Sequence, residues 1–279
     1  AAAARAARAA RGAHVVVLVH GFRGQAFDVR LMRNAIALFL PHALLLCASS
    51  NELSAGAGIE EMGAKLADEV KEFIAVHCSG PRGTRLERLS FVCLSLGGLV
   101  TRSALPLLLQ DFGAALHSFV TFSTPHLGHV YSSSSLVKAG LWFVKKVSHS
   151  TSLDELTMAD AQDPNDSCLR RLSQAPGLER FQHVVLVSSH QDHYVPYESA
   201  RIEMTSQAET DPHFGGVYVE MVNALLGRIG PERLLRLDLN FHMPETRLDT
   251  VMGRAAHVQV TECDMLVQMF VHSYRWLFE

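Results

Sequence analysis

Residues 14–20, HVVVLVH, constrain the fold more than any other stretch of the chain. Five successive aliphatic residues, with Gly12 before them and Gly21 after, leave no polar face. A strand of this kind must be covered on both sides, as in a parallel sheet sandwiched between helices. The rest of the chain repeats the same alternation of short β-branched runs and longer amphipathic stretches. Strands are expected at 43–47, 89–94, 117–123, 183–189 and 234–241. Helices are expected at 27–40, 59–77, 97–109, 136–147, 153–172, 217–226 and 264–278. The irregular material after the 117–123 strand stands where an α/β fold places a helical cap.

Composition bounds the reading. The chain has 279 residues, 48% hydrophobic and 19% charged, with no charge break or Pro/Ser-rich linker inside it. Residues 13–279 are therefore expected to form one domain, behind an Ala/Arg-rich low-complexity tail at 1–12. Such a tail reads as a linker to an upstream region, although its acid-poor composition is shared by some organelle transit peptides. A net charge of -3 argues against nucleic-acid binding. Cys47, Cys78, Cys93, Cys168 and Cys263 are scattered without CxxC spacing, so neither a disulfide framework nor a metal site is expected. Cysteines of this kind suit a reducing, cytoplasmic compartment. No apolar run is long enough to span a bilayer.

Residues 93–97 read Cys-Leu-Ser-Leu-Gly between a strand and a helix. This resembles the G-x-S-x-G nucleophile turn, in which a strained serine sits above the sheet and the following helix presents free N–H groups. Small neighbours are needed because strand and helix pass closely. Cys93 stands in place of the first glycine and predicts some crowding. The plain alternative is a strand–turn–helix with an incidental serine.

The string His20-Gly21-Phe22-Arg23-Gly24 closes the first buried strand. An HG motif there supplies an oxyanion donor, so the main-chain N–H groups of Phe22 and Leu96 are the expected pair. The same architecture orders its triad as Ser, then acid, then His. Asp192 lies in the loop just after the 183–189 strand, whereas Asp163, Asp166 and Asp238 are less suitably placed. For the base, His257 precedes the last helix and His242 competes with it. His193 and His272 are poorly placed.

These residues together resemble the serine esterase family of lipase-like α/β-hydrolases, and in particular the lipase-like C-terminal domain of FAM135-type proteins. The strings that carry the resemblance are VVVLVHGFRG at 15–24, LSFVCLSLGGLVTRSAL at 89–105, STPHLG at 123–128, LVKAGLW at 136–142, VVLVSSHQDHYVPYESARIEM at 184–204 and GRAAHV at 253–258. The resemblance implies an α/β-hydrolase fold and carries over Ser95, Asp192 and His257 as the triad. Members of that family usually carry G-H-S-L-G at the turn, so Cys93 and Leu94 are departures.

The expected activity is hydrolysis of a carboxylic ester through an acyl-enzyme on Ser95, with His257 as base, Asp192 as its orienting acid and no cofactor or metal. His20, Gly21, Thr124, Pro125 and His126 are the expected pocket residues. The expected substrate is a small ester or lipid. The 136–147 segment, with Trp142, Phe143 and three lysines, is expected to serve as a cap helix and a peripheral membrane contact. Tyr194 and Trp276 are assigned to packing. The rival class is a hydrolase-fold scaffold without catalysis, favoured by the altered turn. Oligomeric state and substrate identity have no signature in the sequence.

Overall fold

The computed structural model describes residues 12–54, 56–78, 85–131, 150–241, 257 and 262–279. Residues 1–11 of the expected tail, the 136–147 cap helix and His242 lie outside these residues.

Ala13–Val19 (β1), Leu44–Cys47 (β2), Leu86–Leu94 (β3), Leu116–Phe122 (β4), His183–Ser188 (β5) and Leu234–Asp238 (β6) pair in the order β2-β1-β3-β4-β5-β6. Every pairing is parallel. The apolar run of β1 is divided between two cores. Val15, Val17 and Val19 face one side with Phe91, Cys93 and Phe119, and Val16 and Leu18 face the other with Val92, Val120 and Phe122. Alternate side chains of a strand point to opposite faces, so an uninterrupted aliphatic run fits a sheet covered on both.

Helices supply the two covers. Arg30–Phe39 (α1), introduced by a 3-10 turn at Ala26–Val29, packs with Asp264–Ser273 (α9) over the Val16 face. Ile59–Cys78 (α2) and Gly97–Phe112 (α3) pack together over the Val15 face. Gly215–Ile229 (α8) joins them there, through Val217, Met221 and Leu225. On α2 the buried Ile59, Met62, Leu66, Val70 and Ile74 recur every three or four residues, the spacing of one helical face. No helix among the described residues is long and apolar enough to cross a membrane.

The segment between β4 and β5 departs from the expected 153–172 helix. It folds as Thr151–Leu156 (α4), a 3-10 turn at Pro164–Asp166 and Cys168–Gln174 (α5). Pro164 has no N–H and forces Asp163 into an extended conformation, with φ -96 and ψ 122. The Asp163 and Ser167 side chains then cap the turn and α5. Tyr197–Arg201 (α6) and Ser206–Thr210 (α7) are short helices between β5 and α8. The last helix also stops early, at Ser273, and continues as a 3-10 turn at Arg275–Leu277.

The connections explain where a site can form. From β1 the chain moves outward to β2, then crosses back to β3 on the other side of β1. The loops leaving β1 and β3 therefore diverge, and a crevice opens at their carboxyl ends. Those two loops carry the HGFRG string and Ser95.

Candidate active site

Ser95 follows β3 with φ +50, a left-handed conformation that a residue with a Cβ adopts only under constraint. Three hydrogen bonds hold it. Its N–H donates to the Phe122 carbonyl (2.8 Å), and its own carbonyl accepts from the Thr124 hydroxyl (2.8 Å) and the Gly98 N–H (3.2 Å). Close packing explains Gly97. A Cβ there would lie 2.6 Å from the His20 carbonyl oxygen and 2.7 Å from that of Val19. Cys93 sits wholly buried beneath α3, with Sγ 3.2 Å from Thr101 Oγ1, and burial pushes its thiol up to about 12. The thiol is thus a neutral filler, and the serine retains its strained turn above it.

The loop after β1 presses against this turn. A Cβ on Gly21 would lie 3.0 Å from the Ser95 Cβ, so the glycine permits the approach. Phe22 and Leu96 both line the cavity above Ser95. Among the described residues, neither main-chain N–H donates to a protein acceptor. Two free N–H groups beside a serine at the start of the sixteen-residue α3 make a region suited to a developing negative charge.

The acid comes from the neighbouring strand. Asp192 lies in the loop after β5 and is 6% exposed. One carboxylate oxygen lies 2.7 Å from His257 Nδ1, and the other accepts the N–H groups of Tyr194 (2.8 Å) and Val195 (3.2 Å). Burial pushes this carboxyl up, but hydrogen bonds from His257, the Ser123 hydroxyl and Val195 outweigh it and hold the group below its ordinary range. With Nδ1 engaged by a carboxylate, Nε2 is the nitrogen left for chemistry. His257 and Ser95 line the same cavity, of about 500 Å³.

Of the expected pocket residues, Gly21 and Pro125 line this cavity, while His20, Thr124 and His126 do not. His20 lies in a smaller adjoining cleft, with Nδ1 2.9 Å from the Gly21 carbonyl oxygen. Thr124 is spent on the Ser95 carbonyl. His126 turns inward because the buried Arg102 guanidinium needs acceptors. It donates to the His126 carbonyl at 2.9 Å and to that of Leu172 at 3.1 Å. Burial first, and then Arg102, lower the His126 pKa well below the ordinary histidine value.

Tyr194, assigned to packing, instead lines the cavity, with its ring 5.6 Å from that of His257. The rival acids are placed elsewhere. Asp163 caps a turn, and Asp238 pairs with Arg201 at 2.6 Å. Ser123, which opens the STPHLG string, has φ +47, lines the cavity and helps to hold the Asp192 carboxyl down. His129, one residue beyond that string, also lines the cavity and was missed; the string beside it was the signal that could have found it.

Comparison with known proteins gives the family and the fold. The family model described as "Putative serine esterase (DUF676)" matches residues 9–207. Carboxyl esterase 2 of the mycorrhizal fungus Tuber melanosporum is similar in structure. It shows 12% identity and a TM-score of 0.53, with 95% of this chain and 78% of that one covered. The lin2722 gene product of Listeria innocua is similar at 10% identity and a TM-score of 0.51, with 92% of each chain covered. At such identities the likeness speaks to the fold, an α/β-hydrolase sheet with flanking helices.

Proposed function

The chain belongs to the serine esterase family matched above, and from that premise we propose that it hydrolyses carboxylic esters through an acyl-enzyme on Ser95. His257 takes the Ser95 proton as the hydroxyl attacks the ester carbonyl. It returns that proton to the departing alcohol, then activates the water that releases the acid. Asp192 fixes the imidazole with Nδ1–H toward the carboxylate and stabilises the imidazolium. The Phe22 and Leu96 amides receive the oxyanion. The FAM135-like identity, a lipid-like acyl group and the cytoplasmic setting belong to the same reading. The apolar side chains of Leu94, Phe122, Leu153, Leu156 and Val195 around the cavity suit an acyl chain.

The observation that carries this reading is the 2.7 Å contact between His257 and Asp192 beside the cavity that also holds the strained Ser95. Wild-type protein is expected to release p-nitrophenol from p-nitrophenyl butyrate. Ser95→Ala should lower kcat by at least about 10⁴-fold. The departure at Leu94 favours a second reading, a hydrolase-fold scaffold. Turnover that is absent in folded wild type, or equal in Ser95→Ala, would select it.

A further inference from the structure

Arg23 and Arg30 line the cavity shared by Ser95 and His257, and the reaction above uses neither. Arg23 follows the oxyanion residue Phe22, and Arg30 opens α1. Arg23 holds φ +54, a conformation that glycine would adopt without strain. A long charged side chain is thus kept at the cavity against a backbone cost. Asp28 and Glu262 line the same cavity. Asp28 is turned back on its own loop, where Oδ2 accepts the Gln25 N–H at 2.9 Å. Among the described residues, neither guanidinium lies within ion-pair distance of a carboxylate.

The two guanidiniums are held by rings rather than by anions. The guanidinium carbon of Arg23 lies 5.4 Å from the centre of the Phe22 ring, and that of Arg30 lies 4.1 Å from the centre of the Phe27 ring. A cation over a ring face is restrained without spending its N–H donors. Among the described residues, Arg30 donates once, to the Phe27 carbonyl at 3.2 Å, and Arg23 donates to no protein acceptor. The guanidinium donors form a planar fork that matches a carboxylate or a phosphate. Most of that fork is open at both residues. It is also reachable, because Arg23 is exposed and Arg30 half-buried.

We propose that Arg23 and Arg30 form a subsite for an anionic group of the substrate, so that the preferred esters carry a carboxylate or a phosphate away from the scissile bond. The proposal rests on the esterase reading above. Apolar walls at Leu94, Phe122, Leu153 and Leu156 take the hydrocarbon, and the arginines take the charged end. Asp28 and Glu262 balance the formal charge of the pair, so selection comes from the open donors rather than from a net positive field. A neutral ester leaves both guanidiniums hydrated at little cost, which makes the arginines a preference and not a requirement.

The test uses a pair of esters for each limb of the substrate. The 4-nitrophenyl monoester of suberic acid is compared with that of suberamic acid, in which an amide replaces the free carboxylate. On the alcohol limb, 2-(butyryloxy)ethyl phosphate is compared with 2-(butyryloxy)ethyl dimethyl phosphate, which is neutral. Water screens the guanidiniums, so wild type should favour the anion by about fivefold in kcat/KM in the pair whose charged limb reaches them. Arg23→Gln combined with Arg30→Gln should bring that ratio to about one. Arg23→Lys combined with Arg30→Lys, charged but without the fork, should keep part of it. Because the readout is a ratio within each variant, a smaller folded fraction cancels. Wild-type ratios near one in both pairs, or a ratio unchanged in the double glutamine variant, overturn the subsite while hydrolysis of the esters leaves the esterase reading intact. Failure of folded wild type to hydrolyse any of the four esters overturns both.

Discussion

Both ends of the sheet gather serine and histidine side chains, with opposite consequences. Toward the amino-terminal end, the Ser90 hydroxyl lies 2.8 Å from His14 Nε2, while His14 Nδ1 bonds the Phe278 carbonyl at 2.9 Å. His117 and His183 stack edge-on beside it, at ring separations of 5.6 and 5.4 Å along the row, and Trp276 closes the end against His183. This is a serine–histidine hydrogen bond without chemistry. Its histidine is backed by a peptide carbonyl rather than a carboxylate, and its serine lies within β3 in place of a strained turn. At the carboxyl-terminal end, His257 is backed by Asp192, Ser95 stands at positive φ, and both face a cavity. Residue types alone therefore do not define a site; backing charge, backbone strain and access do.

The largest expected contrast comes from the two serines. Ser95→Ala should abolish ester hydrolysis with little change in stability. Ser90→Ala should leave hydrolysis intact and cost about 1 kcal/mol in urea unfolding, because its hydroxyl also accepts the Ser118 N–H. Asp192→Asn should come next, lowering kcat by roughly 10⁴-fold as the imidazole loses its orientation and its countercharge. The carboxyl is held below its ordinary range, so acid above about pH 4 should not inactivate the protein through Asp192.

Buried histidines should respond to acid instead, His126 and His129 near the site as well as the amino-terminal row. Burial, and then the positive neighbours, hold His14 and His117 near 4, against about 6.5 for an exposed histidine. The unfolded chain binds more protons between those two values. Stability should therefore fall as the pH drops from about 6.5 to 4. His117→Phe should flatten that slope in urea midpoints measured across the range, and an unchanged slope would remove the amino-terminal row as its source. The smallest effect is expected at Cys93→Ala. It should cost about 1 kcal/mol from the lost volume and leave kcat within about twofold, because the Ser95 conformation is held by Phe122, Thr124 and Gly98.

The sheet was legible because each strand carries its own signal. The HVVVLVH run and the strand–turn–helix around Ser95 announce burial and turn geometry within a few residues. Asp192 and His257 were legible through chain order, supported by resemblance. What escaped depends on contacts between distant segments. Thr124 and His126 carry pocket-like chemistry, but Ser95 and Arg102 claim them from across the fold. His129 matters only because the segment after β4 lies beside the loop that bears Asp192. The break in the expected 153–172 helix was foreshadowed by Pro164, whose local veto outweighs the apolar periodicity around it.

The account rests on Ser95 being an activated nucleophile, and labelling with a fluorophosphonate followed by peptide mapping tests that directly. Wild type should be modified at Ser95, and both Ser95→Ala and His257→Ala should lose the label. Folded wild type that takes up no label, or label that persists in Ser95→Ala on another serine such as Ser90, would contradict it.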